Sequence, residues 1–119
     1  MTEAGSYIVT PSASTPVVTI LLEGYCNQQL IQALKAELER SLQQQKNRVV
    51  FDFNQCKVIN SIGISVLLET VLAVQEDFCG RVVFTGLSPL LKEVFSFAGI
   101  DCLVEQSDSL ANAMQLVNS

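Results

Sequence analysis

The 119-residue sequence contains no histidine and no tryptophan, and only 16% of its residues are charged. Without histidine, neither a serine–histidine catalytic pair nor a histidine-ligated metal site can form. Seven lysines and arginines are scattered singly among twelve acidic residues, which gives a net charge of −5. Because nucleic-acid binding needs clustered basic side chains, we expect no nucleic-acid partner.

Long apolar runs and leader-like segments are also missing from the sequence. No apolar stretch is long enough to span a membrane, so we expect no membrane insertion. The N-terminal residues MTEAGSY lack the basic start and apolar core of a secretory signal, and we expect a cytoplasmic protein. Neither a GxxxxGK[S/T] nor a GxGxxG phosphate-binding motif occurs, so we expect no cofactor and no enzyme activity.

The apolar content of the chain is high. Hydrophobic residues make up 49% of the sequence, and at this length they can form a real core, so we expect a single domain spanning residues 1–119. We interpret Phe95 and Phe97 as core and edge packing residues. No C-x-x-C pair occurs, and we interpret all four cysteines as small apolar fillers of a reduced interior. These cysteines are Cys26, Cys56, Cys79 and Cys102.

Apolar periodicity predicts an alternation of strands and helices. Short apolar segments predict strands at residues 7–10, 17–23, 48–53, 81–85 and near 103–104. Helical spacing predicts helices at residues 28–45, 61–75, 88–98 and from 108 onwards. We expect Gly24 to end the second strand, and Asn27 and Ser88 to cap the first and third helices. This alternation predicts an α/β fold.

The second predicted helix is unusual because apolar residues cover most of its circumference. Its only charge between Ser61 and Gln75 is Glu69, so the helix is either deeply buried or presents apolar surface to a partner. Ser61 stands at its start, where unpaired N–H groups and the positive end of the helix dipole favour an anion. Ser61 is therefore either a plain helix N-cap or a phosphorylation site whose phosphate these groups stabilise.

Four segments, in this order, resemble the STAS domain family, and specifically the bacterial anti-sigma factor antagonists. These segments read LLEGYCN, VVFDFNQCKVINSIGISVLL, FTGLSPLLKEVFSFAGI and SDSLANAMQLV. The resemblance covers the chain from about Tyr7 to Val117. It implies the STAS fold, an α/β domain whose mixed, mostly parallel sheet of four to five strands is flanked by about four α-helices.

The resemblance also implies a regulatory protein and no enzyme. Such antagonists bind an anti-sigma factor that is also a serine kinase of the GHKL ATPase type, and this binding releases the sigma factor. Phosphorylation of the serine at the position of Ser61 ends the binding, and a PP2C-type phosphatase reverses it. The apolar coverage of the second helix also leaves room for a homodimer. The implied partner surface comprises Asn27, Gln28, Asn60, Ser61, Ile62 and Gly63.

Three residues depart from the family pattern and keep a second hypothesis open. Asn60 and Asn27 stand where the family commonly has aspartate, and Ile62 is bulkier than the small residue common there. An amide keeps the hydrogen-bonding oxygen of a carboxylate but lacks its charge. The alternative is a STAS adaptor that is not phosphorylated and binds a signalling scaffold or a transporter partner. An enzyme is disfavoured because Ser61 has no histidine base.

Overall fold

A computed structural model describes residues 5–119 of the chain. These residues form a five-stranded sheet in the order β1-β2-β3-β4-β5. The strands are β1 (Ser6–Pro11), β2 (Val17–Cys26), β3 (Arg48–Ile59), β4 (Arg81–Thr85) and β5 (Glu105–Ser107). β1 runs antiparallel to β2, and the other three strand pairs are parallel. The predicted mixed, mostly parallel sheet is confirmed.

Four α-helices are found in the same part of the chain, as expected for the α/β fold. They are α1 (Gln28–Gln43), α2 (Ser61–Leu72), α3 (Pro89–Ala98) and α4 (Leu110–Asn118). A π-helical turn (Ala73–Asp77) continues α2, and a 3-10 turn (Ile100–Cys102) follows α3. The N-cap of α4 is Ser109, one residue later than the predicted start.

Hydrophobic clusters lie on both faces of the sheet, because successive strand residues point to opposite faces. The larger cluster packs the sheet against α1, α2 and α3 and includes an aromatic group whose closest ring centroids are 4.9 Å apart. This group consists of Phe51, Phe53, Phe84 and Phe95. The smaller cluster packs Val17, Val50 and Val83 against Ala113 and Val117 of α4. Burial on both faces explains the almost continuously apolar sequences of β3 and β4.

The third strand is longer than predicted and continues to Ile59 instead of ending at residue 53. In the described part of the chain, its pairing with β4 ends at Asp52 and Thr85, whereas its pairing with β2 continues to Cys26 and Ile59. We call the part that lies beyond β4 the β2–β3 extension (residues 23–26 and 55–59). Its exposed polar positions give it the sequence pattern of a loop.

Three other expectations are wrong. Gly24 does not end β2, since the strand passes through a register shift after this glycine and pairs with β3 up to Cys26. The fifth strand lies at residues 105–107 rather than at 103–104. Phe97 is 88% exposed and is not an edge packing residue, although Phe95 is fully buried as expected.

The interpretation of all four cysteines as core residues is also wrong for two of them. Cys26 and Cys56 are buried in the larger cluster. Cys79 and Cys102 are exposed, since they lie in the turns that follow α2 and α3. Composition alone does not distinguish the two pairs, because the exposure of a cysteine depends on where the fold places it and not on its residue type.

Candidate functional site

Helices α1 and α2 begin side by side at the end of the β2–β3 extension. β2 ends at Cys26, directly before Asn27, and β3 ends at Ile59, directly before Asn60. The backbone N–H of Asn60 donates to the carbonyl oxygen of Cys26 at 3.2 Å and ties the two helix starts together. The sequence alone does not reveal this juxtaposition, because it depends on the register of two strands about 30 residues apart.

Gly63 permits this close approach. A Cβ atom at this position would lie 3.0 Å from both Asn60 Oδ1 and Ile59 Cγ2, and 3.4 Å from the carbonyl carbon of Asn27. Gly63 itself is buried, so it offers little surface to a partner. Gly63 is one of the six partner-surface residues that the resemblance implies, and it contributes by letting the two helix starts pack closely.

Two asparagines cap the two helices. Asn27 Oδ1 accepts the N–H of Leu30 at 2.9 Å, which confirms Asn27 as the cap of α1. Asn60 Oδ1 accepts the N–H of Gly63 at 2.7 Å, so Asn60 is the cap of α2. The reading of Ser61 as the N-cap is therefore wrong by one residue, because asparagine caps a helix as well as serine does and Asn60 comes first.

Ser61 is the first residue of α2, and its side chain is exposed. Its carbonyl oxygen accepts a long hydrogen bond, 3.4 Å, from the hydroxyl of Ser65. Among residues 5–119, no hydrogen bond is made by the Ser61 hydroxyl. This hydroxyl is therefore accessible to another protein, and it does not cap the helix.

The electrostatics at this point favour an anion. Neither α1 nor α2 has an acidic residue in its first turn. The partial positive charge at each helix N-terminus is therefore not compensated by a nearby carboxylate of its own helix. Both caps are amides, which satisfy a backbone N–H without adding negative charge. A dianion at Ser61 would meet the positive end of α2 directly.

The remaining two residues implied by the resemblance flank this point. Ile62 is 57% exposed and adds apolar surface next to Ser61. Gln28 is the first residue of α1 and is half-buried. Asn27, Asn60 and Ser61 are thus brought together by the fold, with Ile62 exposed beside them.

A shallow groove of about 540 Å³ between α2 and α3 was not predicted from the sequence. We call it the Phe97 groove; it is lined by Ile59, Asn60, Ser61, Ile64, Ser65, Val94, Phe97 and Ala98. A signal was present, because Leu90, Val94 and Phe97 form a second apolar stripe on α3, beside the buried stripe of Leu91 and Phe95. Periodicity identifies both stripes but does not say which of them is covered.

Other kinds of site receive no support from the described residues. Within residues 5–119, no group of three or more cysteine, aspartate or glutamate side chains is placed to hold a metal ion. No helix in that range combines the length and the apolar character needed to cross a membrane.

Residues 9–105 of the sequence match a family model described as "Mlab, STAS domain". The chain belongs to the STAS domain family. A search of curated proteins finds no match to this STAS domain.

Solved structures share its fold at low sequence identity. SpoIIAA in its unphosphorylated form is 18% identical, with a TM-score of 0.75 over 96% of this chain and 99% of that chain. The phosphorylated form of SpoIIAA, a Bacillus cell fate determinant, has 18% identity and a TM-score of 0.73 over 94% and 99%. An anti-sigma factor antagonist from Mycobacterium paratuberculosis is 16% identical, with a TM-score of 0.78 over 97% and 95%. At these identities the likeness shows the common STAS fold.

Proposed function

We propose that this STAS domain is an anti-sigma factor antagonist that binds an anti-sigma factor and so releases a sigma factor. The observation that carries the proposal is the exposed Ser61 hydroxyl at the start of α2, which is free because Asn60 caps the helix. Support also comes from the structural neighbours, among which SpoIIAA is described in unphosphorylated and phosphorylated forms.

Phosphorylation of Ser61 switches the binding off. The anti-sigma factor is a serine kinase of the GHKL ATPase type, which transfers a phosphoryl group from ATP to the Ser61 oxygen. The phosphate adds a charge of about −1.5 to −2 to a surface formed by amides and the apolar side chain of Ile62. A partner that covers this surface would have to remove water from the new charge, so the complex dissociates. A PP2C-type phosphatase removes the phosphate and restores binding.

The fold tolerates this modification. A phosphate on the first residue of α2 lies near backbone N–H groups that have no partner within the helix. The Gly63 N–H donates its capping hydrogen bond to Asn60 Oδ1 and not to the Ser61 side chain, so a phosphate on Ser61 does not compete with this bond. The switch therefore acts on the interface and leaves the sheet and the core unchanged.

The partner surface comprises Asn27, Gln28, Asn60, Ser61 and Ile62, with Gly63 beneath them. The role is one of binding rather than catalysis, in a single STAS domain over residues 1–119 that works in the cytoplasm. The exposed ring of Phe97, across the groove from Ser61, enlarges the apolar surface on offer.

A second candidate function is an adaptor that is not phosphorylated and binds a signalling scaffold or a transporter. The capping role of Asn60 and Asn27 favours it, because neither residue places a carboxylate beside the Ser61 hydroxyl. Both functions use the same surface, and they differ in whether charge at Ser61 controls the binding.

Two measurements test the proposal. Incubation with the anti-sigma factor kinase and ATP should add one phosphate to the wild type and none to Ser61→Ala, as measured by intact mass. In calorimetric titrations with the same kinase, Ser61→Asp should weaken binding by about a hundredfold or more, or about 2.7 kcal/mol. Ser96→Asp, which puts the same charge at an exposed position of α3 that does not line the groove, should bind like the wild type.

The outcomes separate the two candidate functions. An equal mass gain on the wild type and on Ser61→Ala would exclude Ser61 as the phosphoacceptor. Wild-type affinity of Ser61→Asp, with no mass gain on the wild type, would reject the switch and favour the adaptor.

A further inference from the structure

Two buried thiols lie beneath the candidate site. The Sγ atoms of Cys26 in β2 and Cys56 in β3 are 3.8 Å apart. Cys26 has no exposed surface and Cys56 is 6% exposed, and both belong to the larger hydrophobic cluster. The proposed switch at Ser61 uses neither thiol. Because the two cysteines are on neighbouring strands of the β2–β3 extension, their contact depends on the register of these strands.

The backbone connects this thiol pair to both helix caps. Cys26 directly precedes Asn27, which caps α1. The carbonyl oxygen of Cys26 also accepts the N–H of Asn60, which caps α2. A displacement of Cys26 therefore acts on the starts of α1 and α2 together.

The two thiols interact chemically as well as sterically. The hydrogen bond between them lowers the pKa of Cys26 and raises the pKa of Cys56, while burial raises both. Thiolates, and not thiols, are the nucleophiles in oxidation. Because the hydrogen bond couples the two pKa values, the ionisation of one thiol opposes that of the other.

We propose that a hydroperoxide oxidises Cys26 and Cys56 to a reversible disulfide, and that this bond displaces the N-terminal caps of α1 and α2. First, one sulfur takes an oxygen from the peroxide, whose O–O bond breaks, to give a sulfenic acid and an alcohol or water. The second thiol then attacks that sulfur, so that an S–S bond forms and the S–O bond breaks, and water carries away the thiol proton. The two sulfurs together lose two electrons, and the peroxide gains them.

The expected displacement of the helix caps follows from the distance between the two sulfur atoms. A disulfide brings its sulfurs to about 2.05 Å, whereas these sulfurs are 3.8 Å apart. Rotation of the side chains alone is restricted because both cysteines are packed in a dense core. The β2–β3 extension is the deformable element, since one register shift lies where it begins, a second lies within it, and β4 is not its neighbour. This inference concerns the isolated protein and does not depend on the proposed partner.

The first test uses the variant Cys79→Ser/Cys102→Ser, which removes the two exposed thiols and keeps the buried pair. After treatment with hydrogen peroxide under native conditions, the free thiols are alkylated in denaturant and the protein is mapped by mass spectrometry. We expect a peptide linked through Cys26 and Cys56 with the loss of two hydrogen atoms, and dithiothreitol should reverse it. Recovery of both cysteines alkylated, or of a sulfinic acid without the link, would overturn the proposal.

The second test measures the caps by amide hydrogen exchange in NMR on the same variant. The N–H groups of Leu30 and Gly63, which donate to Asn27 and Asn60, should change in protection by about tenfold or more on oxidation. The cap amides of α3 and α4, at Leu91 and Asn112, are internal controls and should not change. A linked protein with unchanged exchange at Leu30 and Gly63 would overturn the coupling to the site.

Discussion

The helices α2 and α3 each begin beside a serine, and they use it in opposite ways. At α3, Ser88 is half-buried, and its hydroxyl accepts the N–H of Leu91 at 3.2 Å as the helix cap. At α2, Asn60 makes the equivalent bond to Gly63 at 2.7 Å, and Ser61 is one position further on and exposed. The Ser61 hydroxyl is thus left exposed because Asn60 caps α2, whereas the Ser88 hydroxyl is occupied by the cap of α3. The difference can be measured as the change in unfolding free energy when each residue is replaced.

The largest expected effect is at the loop that leads into α3. Gly86 has φ +77°, and a Cβ atom there would lie 2.5 Å from the Asn54 side chain and 2.7 Å from its backbone nitrogen. We expect Gly86→Ala to cost more than about 2 kcal/mol of unfolding free energy, measured by urea denaturation. Gly99→Ala is the matched control, since Gly99 has φ +79° but nothing within 4 Å of an added Cβ. Equal losses in the two variants would mean that backbone strain alone, and not the contact with Asn54, fixes this loop.

The second largest effect is expected at the cap of α2. Asn60→Ala removes the acceptor of the Gly63 N–H, and Gly63 is buried, so the N–H is left without a partner. We expect a loss of about 1–2 kcal/mol in urea denaturation. Asn60→Asp keeps the acceptor and places a negative charge at the helix start, so its stability should equal or exceed that of the wild type. A stable Asn60→Ala would show that Asn60 is not the working cap.

Ser88→Ala removes the corresponding bond at α3. The Leu91 N–H lies at 3.2 Å from the Ser88 hydroxyl, a longer bond than the one at Asn60, so we expect a smaller loss of about 1 kcal/mol. Thermal denaturation followed by circular dichroism measures it. Ser88→Asp should recover most of this stability, because aspartate caps as well as serine. No recovery would point to packing at the half-buried Ser88 rather than to capping.

The smallest effect is expected at Ser61, and it completes the contrast with Ser88. Ser61→Ala removes an exposed hydroxyl that holds no backbone group, so stability should stay within about 0.5 kcal/mol of the wild type. The same denaturation experiments measure both serine variants. If Ser61→Ala were as destabilised as Ser88→Ala, Ser61 would share the capping role and would not be free for a phosphate.

Some parts of this fold can be predicted from the sequence alone, and α3 is the best example. Ser88-Pro89 begins it, Gly99 ends it, and its buried stripe has regular helical spacing, so all three local signals agree. The N-cap of α2 is harder to predict from the sequence, because Asn60 and Ser61 are both good capping residues and nothing in the local sequence distinguishes them. The cap assignment is settled by where β3 ends, and that end depends on pairing with a distant strand.

The extent of β3 and the exposure of Phe97 could not be predicted for related reasons. Asn54, Gln55 and Lys57 are polar and exposed, which resembles a loop, yet residues 55–59 belong to a strand held by β2. Phe97 has the composition of a core residue, but α3 already buries its other apolar stripe. The contact between Cys26 and Cys56 likewise appears only once the two strands are aligned. Local patterns define the elements, and tertiary pairing decides which surfaces are left open.

The β2–β3 extension sets Ser61 apart from the middle of the sheet. Asp52 and Thr85 are the last paired residues of β3 and β4, and the extension continues past them to the start of α2, where Ser61 lies. Phe51 and Phe84 are fully buried on the paired side of this boundary. Another macromolecule that binds and leaves at Ser61 therefore does so without touching these aromatic rings.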